Sequence, residues 1–215
     1  FDLDGIIADT SLYHFMAWKQ LILAHFDKEI PDHLEVKTKG VSREDSLNTI
    51  LNYLNISVSN EKFSALCNEK NDMYIKSLEQ INETNILPGI KKLIIELKKE
   101  NIKLALASAS KNGPIILKKL HLFEYFDAIV NPENVKAGKP EPDIFIAAAK
   151  ALNLLPSECI GIEDSVAGVT AINAAGALSI AVGGFELDHS FRRFETTSQL
   201  TYTELQKSWQ LYVKN

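Results

Sequence analysis

FDLDGIIAD, residues 1–9, places two aspartates, Asp2 and Asp4, after an apolar start and immediately before Gly5. Because glycine lets the backbone leave strand geometry, the second carboxylate need not follow the alternation of a strand. Two carboxylates that converge on a small volume repel each other unless a cation or a proton relieves them, which favours metal binding or acid–base chemistry. Asp-x-Asp before glycine is also typical of a solvated turn, so the rest of the chain has to decide between the two interpretations.

The composition is that of an ordinary globular protein. The 215 residues are 46% hydrophobic and 24% charged, which fits one domain with an insert or two small domains. A net charge of -5 with dispersed Lys and Arg argues against a nucleic-acid partner. No apolar stretch approaches about 20 residues and no leader is visible, so we predict neither a membrane span nor secretion. Cys67 and Cys159 are too few for a disulfide framework; they fit a cytoplasmic protein, and we predict that both are buried.

The chain starts without Met inside a predicted strand, and we expect that a few residues of that strand precede Phe1. The segment that follows, residues 10–83, shows helical periodicity and no convincing strand. Phe15 and Trp18 lie at helical spacing within residues 11–26, and Ser42, with Asp45 three residues later, is typical of a helix start. A further helix is predicted from about residue 60, with the apolar members Phe63, Leu66, Met73 and Ile75. An insert of this length after the first strand predicts a helical cap domain over residues 10–83.

From residue 84 onward, predicted helices and strands alternate four times. The helices are residues 90–99, 114–120, 142–152 and 166–174, and the strands are residues 103–107, 128–130, 159–162 and 178–182. This alternation predicts βαβ units with right-handed crossovers. The tail after residue 184 is weakly patterned, with a final helix around Leu205 and Trp209. The predicted fold class is α/β: a Rossmann-like parallel sheet with helices on both faces, residues 1–9 and 84–215, and an inserted α-helical cap domain.

Polar residues follow three of the predicted strands. Ser108 follows one strand, Lys139 lies in the loop after the next, and Glu163 and Asp164 follow a third. Each has a structural explanation by itself, as a helix cap or as a surface lysine. Together with the opening aspartates, they would lie at one edge of one sheet, where open α/β sheets bind ligands. The set offers a nucleophile, donors to phosphate oxygens, a cation and metal ligands, which are the groups that phosphoryl transfer requires.

In order and spacing these motifs resemble the haloacid dehalogenase superfamily over nearly the full chain. The matching segments are FDLDG with Asp9-Thr10, SASK at 108–111, Lys139-Pro140, and GIEDS at 161–165 with Gly168. The cap is similar to that of the superfamily's sugar phosphomutases in His14, KGVSREDS at 39–46 and KND at 70–72. The resemblance implies an Mg²⁺-dependent isomerase that interconverts β-D-glucose 1-phosphate and glucose 6-phosphate through an aspartyl phosphate and glucose 1,6-bisphosphate.

The resemblance also implies roles for individual residues. The implied catalytic residues are Asp2 as nucleophile, Asp4 as general acid and base, Thr10, His14, Ser108 and Lys139. Mg²⁺ would be held by Asp2, the backbone carbonyl of Asp4, and Asp164 with Glu163 beside it. The substrate would be bound by Gly40, Val41, Arg43, Ser46, Lys70, Ser110, Lys111 and Asn112. Arg43 would grip the phosphate that is not transferred, because a guanidinium group matches phosphate with two parallel donors. Cap closure and desolvation should raise the pKa of Asp4, since a free carboxyl group of pKa about 4 is mostly unprotonated.

Several of these residues keep a structural alternative. Arg43 could pair with Glu44 or Asp45 in the first turn of its helix, and His14 could be a packing residue. Phe15 and Trp18 are predicted to belong to the core of the cap, and Ser110 or Asn112 could cap the helix that follows.

Two alternatives to the mutase function also remain. A sugar-phosphate phosphatase would use the same catalytic core whenever water reaches its phosphoenzyme. A noncatalytic sugar-phosphate sensor would be expected to lose Asp2 or Asp4, and both are present. We expect a cytoplasmic monomer that binds a small-molecule sugar phosphate and neither nucleic acid nor a membrane.

Overall fold

The computed structural model describes residues 1–214 as an α/β protein whose first third is helical. That third contains α1 (Ser11–Phe26), α2 (Glu35–Thr38), α3 (Arg43–Tyr53) and α4 (Asn60–Ser77). The elements that follow are α5 (Ile90–Lys99), β1 (Ala105–Leu106), α6 (Gly113–Lys119), β2 (Ala128–Ile129), α7 (Asp143–Ala151), β3 (Ile160–Glu163), α8 (Val166–Ala175), β4 (Leu178–Val182), β5 (Arg192–Phe194) and α9 (Tyr202–Tyr212).

All strand pairs in this part of the chain are parallel. β1 pairs with β2, and β4 lies between β3 and β5. The N-terminal segment joins the two groups, because the N–H of Ala107 donates to the carbonyl of Phe1 (2.8 Å) and the N–H of Asp2 donates to the carbonyl of Ile162 (3.0 Å). Asp2 and Asp4 therefore leave the middle of the parallel layer at its carboxyl edge.

Helices cover both faces of this layer. One buried cluster joins Leu3 and Ile180 of the sheet region to Leu93 of α5 and Leu117 of α6. On the other face, Ala107 packs with residues of α7 and α8. Each fully buried aliphatic side chain of this kind contributes about 1.5–3 kcal/mol, so the sheet is held from both sides. The predicted α/β fold class is confirmed. β5 was not predicted, because Arg192 and Arg193 break the apolar pattern of a strand.

The helical segment has an apolar cluster of its own, which includes Phe15, Trp18, Leu47 and Leu66. This separate cluster supports the cap domain of residues 10–83, whose boundaries stay a prediction. The prediction that Ile75 belongs to the apolar face of α4 is wrong, because Ile75 is 40% exposed. The residues that the helix buries near its C-terminal end are Lys70 and Tyr74. Leu66, Lys70 and Tyr74 follow each other at intervals of four, and a residue one position further points about 100° away.

The two cysteines differ in their exposure. Cys67 is buried as predicted, but Cys159 is partly exposed beside β3, so the prediction of two buried thiols is wrong for Cys159. Within residues 1–214, none of the helices is long and apolar enough to cross a membrane.

Candidate active site

A cavity of about 340 Å³ lies where the carboxyl edge of the sheet meets the helical segment. This volume is in the range of small-molecule sites. Asp2, Asp4 and Ser108 line it from the sheet side, and His14 lines it from α1. Phe15 and Trp18 line it as well, although both also belong to the apolar cluster of the helical segment. All of the predicted substrate-binding residues line this cavity: Gly40, Val41, Arg43, Ser46, Lys70, Ser110, Lys111 and Asn112.

Asp2 is held in a buried network of charges. The residue is 4% exposed. Its carboxylate accepts a hydrogen bond from Nζ of Lys139 at 2.7 Å, and the same ammonium group donates to Oε1 of Glu163 at 2.6 Å. Burial raises the pKa of Asp2 to about 7 against the nearby Lys139 charge, and the negative charges of Glu163 and Asp4 add to the rise. The pKa of Lys139 is raised, because burial lowers it by less than its two carboxylate partners raise it. A further cation at Asp2 would relieve this cluster.

Asp4 faces the helical segment instead. Its Oδ1 accepts a hydrogen bond from the hydroxyl of Thr10, and it lies 3.4 Å from the hydroxyl of Tyr74 and 3.6 Å from Nε2 of His14. The two aspartates therefore have different partners, and the turn at Gly5 (φ +80°) directs the chain between them.

The expected rise in the pKa of Asp4 is wrong. Burial is the largest influence and raises this pKa, but the charge of His14 and hydrogen bonds from His14 and Thr10 outweigh it. The pKa of Asp4 is consequently lowered from its usual value. The donors that lower it, His14 of α1 and Thr10 just before that helix, are brought to the carboxylate by the fold, and desolvation alone would have raised the pKa.

His14 belongs to a stacked polar cluster under the cavity. Its ring stacks on Tyr74 with 3.8 Å between the centroids, and its Nδ1 pairs with Nζ of Lys70. Lys70 is 3% exposed, with its ammonium group 5.1 Å from the ring centroid of Trp18 and 5.0 Å from that of Tyr74. Burial, with the charge of Arg43, lowers the pKa of Lys70 to about 7. Burial also lowers the pKa of His14. His14 therefore has two kinds of contact, because its ring packs on Tyr74 and its Nε2 lies near Asp4.

Tyr74 was missed by sequence analysis. An aromatic residue on an amphipathic helix is usually a core residue, and the available signal was its spacing of four from Lys70.

The residues proposed to bind metal meet at the ends of the N-terminal segment and β3. A Cβ atom placed on Gly5 would lie 1.6 Å from Oδ2 of Asp164, so the backbone after Asp4 runs directly against that carboxylate. Burial raises the pKa of Asp164 well above its usual value; the charge of Lys39 opposes the rise, and Glu163 adds to it. The Nζ of Lys39 lies 2.7 Å from Oδ2 of Asp164.

This donor set fits Mg²⁺. Among residues 1–214, no three acidic, histidine or cysteine side chains form a complete metal cage. Two carboxylates, from Asp2 and Asp164, and the carbonyl of Asp4 would leave room for water and phosphate oxygens, which is the arrangement that Mg²⁺ prefers. Glu163 has a supporting position, because its Oε2 accepts hydrogen bonds from the backbone N–H groups of Asp164 and Ser165 at 2.7 Å each.

The loop after β1 is organised by its own hydroxyl groups. The Oγ of Ser108 accepts from the N–H of Ser110 at 3.1 Å, and the Oγ of Ser110 accepts from the N–H of Asn112 at 3.3 Å. Asn112 precedes α6 without a side-chain capping bond, so the capping alternative is wrong for this residue. Lys111 pairs with Glu133 at 2.7 Å beside the cavity.

Arg43 links the helical segment to this loop through Asn71. Its Nη2 donates to Oδ1 of Asn71 at 2.9 Å, and the amide of Asn112 donates to the same oxygen at 3.2 Å. Nη1 of Arg43 donates to the carbonyl of Cys67 at 3.4 Å. Arg43 makes no ion pair with Glu44 or Asp45, so the structural alternative for this residue is wrong. Asn71 was missed as a separate residue, although it lies in the KND segment.

The remaining predicted residues shape the cavity from outside or at its rim. Thr10, Lys139, Glu163 and Asp164 are buried behind it. Thr10 contacts Asp4, Lys139 contacts Asp2 and Glu163, and Asp164 contacts Lys39. The hydroxyl of Ser46 donates to backbone carbonyls of residues 38 and 42, at 3.2 Å and 2.9 Å, and so fixes the loop that carries Gly40 and Val41.

Comparison with known proteins agrees with the geometry. The family model for haloacid dehalogenase-like hydrolases matches residues 1–182. The chain is 40% identical over 218 residues to the β-phosphoglucomutase of Bacillus subtilis, covering 99% of this chain and 95% of that protein. It is 31% identical over 178 residues to a phosphorylated carbohydrates phosphatase of Thermotoga maritima, covering 82% and 80% of the two chains. The crystal structure of a β-phosphoglucomutase from Clostridium difficile superposes with a TM-score of 0.96 at 40% identity, covering 100% of this chain and 97% of that one.

Proposed function

The chain belongs to the haloacid dehalogenase-like hydrolase family, and from this premise we propose that it is an Mg²⁺-dependent β-phosphoglucomutase. It interconverts β-D-glucose 1-phosphate and glucose 6-phosphate through an aspartyl phosphate and glucose 1,6-bisphosphate. The observation that carries this proposal is that one cavity holds both the aspartate pair and a separate set of cations from the helical segment, Arg43 and Lys70. A bisphosphate needs both groups of residues, because one of its phosphates reacts at the aspartate pair while the other is held by the cations.

The first step belongs to Asp2. An oxygen of its carboxylate attacks the phosphorus of the bound phosphate, the bond to the leaving sugar oxygen breaks as that oxygen takes a proton from the protonated form of Asp4, and an aspartyl phosphate forms. Lys139 already contacts this carboxylate at 2.7 Å and would offset charge on the phosphoryl oxygens together with Ser108. Bound at Asp2, the Asp4 carbonyl and Asp164, Mg²⁺ would supply positive charge that lets an anionic nucleophile approach an anionic phosphate.

Asp4 moves the proton. Its lowered pKa keeps the carboxylate ionised when no substrate is bound, which is the form that acts as a base once Asp2 carries the phosphoryl group. It accepts the proton of the sugar hydroxyl that attacks the aspartyl phosphate, and it returns a proton to the leaving oxygen in the companion step. Thr10 and His14 hold the carboxylate in place for this exchange.

Arg43 is the group that holds the phosphate that does not react. A guanidinium group has five N–H donors, and the two partners of Arg43 are neutral oxygens of Asn71 and Cys67. A phosphate dianion is a stronger partner than either of these oxygens. Ser110 and Lys111 line the same cavity and can add donors to it.

A sugar-phosphate phosphatase is the alternative, and the similarity to the Thermotoga maritima phosphatase favours it. The same aspartyl phosphate would be hydrolysed if water reached it. The contact of the helical segment with the sheet edge through Asn71 and Asn112 favours the mutase because it helps to close the cavity. A noncatalytic sensor is disfavoured by the presence of both aspartates.

A product assay tests the proposal. The purified protein is incubated with β-D-glucose 1-phosphate, Mg²⁺ and a trace of glucose 1,6-bisphosphate, and glucose 6-phosphate and free phosphate are measured together. We expect glucose 6-phosphate in large excess over free phosphate, and no product after metal chelation. Release of free phosphate without glucose 6-phosphate would establish the phosphatase instead.

A further inference from the structure

Lys39 occupies an unusual position for a lysine outside the predicted substrate-binding set. It follows α2 directly, and its Nζ lies 2.7 Å from Oδ2 of Asp164. The side chain of Lys39 is 31% exposed, whereas that of Asp164 is 6% exposed, so the ion pair is anchored in the buried carboxylate. The bond crosses from the helical segment to the end of β3. It therefore joins the two structural parts at one of the residues that fit Mg²⁺.

The backbone holds Lys39 in this place. The next residue, Gly40, has φ +74°, and a Cβ atom placed on it would lie 2.1 Å from Oγ of Ser165. The loop is thus packed against the residue that follows Asp164, at a distance that only glycine allows. Because the adjacent backbone is fixed, the ammonium group reaches the carboxylate with little freedom to leave it by motion of the loop alone.

A second, smaller cavity lies on the outer side of this ion pair. Its volume is about 240 Å³, and Lys39 and Asp164 line it together with Glu35 and Glu186. Lys39 and Glu35 also line the larger cavity, so Lys39 stands between the two spaces. The side cavity therefore has both the room and the negative charge to receive an ammonium group that has left Asp164.

We propose that Lys39 is a built-in competitor for the magnesium site: its ammonium group holds Asp164 in the metal-free enzyme, and Mg²⁺ binds by displacing it into the side cavity. This inference rests on the magnesium site of the proposed function. The physical reason is that two cations cannot share one carboxylate oxygen at contact distance without strong mutual repulsion. Metal binding then removes the ion-pair contact between this loop and the sheet edge, while the packing of Gly40 against Ser165 remains.

Calorimetric titration of the metal-free protein with MgCl₂, without substrate, tests this competition. Lys39→Met keeps the aliphatic length and removes the charge, so the variant should bind Mg²⁺ about two- to fivefold more tightly than the parent, the range expected when a partly exposed ion pair is lost. Lys37→Met, which removes an exposed lysine of α2, is the matched control and should leave the affinity unchanged. An unchanged or weaker affinity in Lys39→Met would overturn the proposal.

A measurement on the parent protein keeps the test independent of how the variant folds. The ¹⁵N resonance of the Lys39 ammonium group should show slow proton exchange without metal and fast exchange at saturating Mg²⁺. Slow exchange in both states would contradict displacement.

Asp164→Asn separates the two proposals, because it should abolish Mg²⁺ binding if the site is correct. Failure of the parent to bind Mg²⁺ would overturn the metal site itself, whereas normal binding with no effect of Lys39 would overturn only the competition.

Discussion

The two aspartates of the opening segment acquire different chemistry from their neighbours. Asp2 lies among Lys139 and Glu163, where burial raises its pKa to about 7. Asp4 is two residues away and has a lowered pKa, because Thr10 and His14 stabilise its charged form more than burial destabilises it. A raised pKa marks a carboxylate that needs a cation, and a lowered pKa marks one that rests as a base.

Asp2→Asn should abolish the phosphoenzyme. An amide oxygen is a poor nucleophile, so turnover should fall by about 10⁴-fold or more. Trapping of phosphate on the protein after rapid acid quenching, followed by mass spectrometry, measures this directly. Asp9→Asn is the control, because Asp9 is exposed and lies in the same segment. Turnover of Asp2→Asn near the parent rate would show that another residue is the nucleophile.

Lys70 is the second residue whose environment decides its chemistry. It is almost fully buried between two aromatic rings and pairs with His14, yet no carboxylate lies within ion-pair distance of it among residues 1–214. Burial lowers its pKa to about 7, so near neutral pH the folded protein holds this group only partly charged. A bound phosphate would restore the full charge, which suits a residue that lines a sugar-phosphate cavity.

Lys70→Met should stabilise the substrate-free protein in a pH-dependent way. Between pH 7 and about pH 10.4 the unfolded chain binds a proton at Lys70 that the folded protein does not, so the contribution of this group to the free energy of unfolding rises with pH. Below pH 7 both states are protonated and the full cost of burial is present. The variant should therefore exceed the parent at pH 6 by on the order of a few kcal/mol, and the difference should vanish near about pH 10.

Urea unfolding at pH 6, 8 and 10, without phosphate, measures this difference. Lys76→Met on the same helix is the control, because Lys76 is exposed and its removal should change little at any pH. A gain in stability that is equal at all three pH values would mean that packing, and not the buried charge, is responsible.

At the scale of elements, the loop between α2 and α3 connects helix formation to the site. Ser42 begins α3 by accepting a hydrogen bond from the N–H of Asp45 at 3.0 Å, as its spacing predicts. Loss of such a cap costs about 1 kcal/mol. The same loop carries Lys39 to Asp164 and Gly40 to Ser165, so a local start signal for a helix also determines where the loop meets the sheet edge.

Gly40→Ala should damage the site more than the fold. An added methyl group would lie 2.1 Å from Oγ of Ser165, and the positive φ of +74° is itself unfavourable for alanine. The loop should shift away from the sheet edge, and kcat/KM should fall by about tenfold to a hundredfold, the effect of misplacing binding groups by about 1 Å. Steady-state kinetics with glucose 1,6-bisphosphate measure this loss.

Gly138→Ala provides the matched control. A Cβ atom at Gly138 would meet its nearest neighbour at 4.0 Å, and this glycine is not among those with positive φ. It should keep nearly the parent kcat/KM. Equal losses in the two variants would show that close packing at Gly40 is not needed.

At the scale of the whole molecule, the cavity exists because two apolar clusters meet through polar contacts. Phe15 and Leu66 belong to the cluster of the helical segment, and Leu3 and Ile180 to that of the sheet. Between them, Asn71 bridges Arg43 and Asn112. Polar contacts can open and close at low cost, whereas a continuous apolar core cannot, so this interface is suited to opening for substrate exchange.

Asn71→Ala should loosen the closed arrangement and let water reach the phosphoenzyme. Loss of the bridge to Arg43 and Asn112 removes two hydrogen bonds, one of them to a charged group, so the ratio of free phosphate to glucose 6-phosphate should rise about tenfold. The two products are measured in the same reaction. Asn52→Ala, on the exposed face of α3, should leave the ratio unchanged. A lower ratio in Asn71→Ala would show that the bridge does not help to exclude water.

Much of the architecture followed from local pattern. The ends of α1, α5 and β4 agree with their predicted bounds, because apolar spacing, glycine and proline act within a few residues. β5 was missed because Arg192 and Arg193 are paired with acidic residues at the edge of the sheet and leave no apolar alternation. The exposure of Ile75 was missed because the face that α4 buries depends on tertiary contacts. Lys70 and Tyr74 contact His14, and Tyr74 also contacts Asp4.

The order of residues alone therefore predicted the α/β class, the helical insert, the family and the set of side chains at one edge of the sheet. Tertiary structure decided what each of those side chains does. The pKa of Asp4, the burial of Lys70, the link through Asn71 and the ion pair of Lys39 with Asp164 all depend on partners that are distant in sequence. Motifs and periodicity act over a few residues, whereas desolvation and charge act over a few ångströms of space. Only the folded chain brings residues that are distant in sequence within that range.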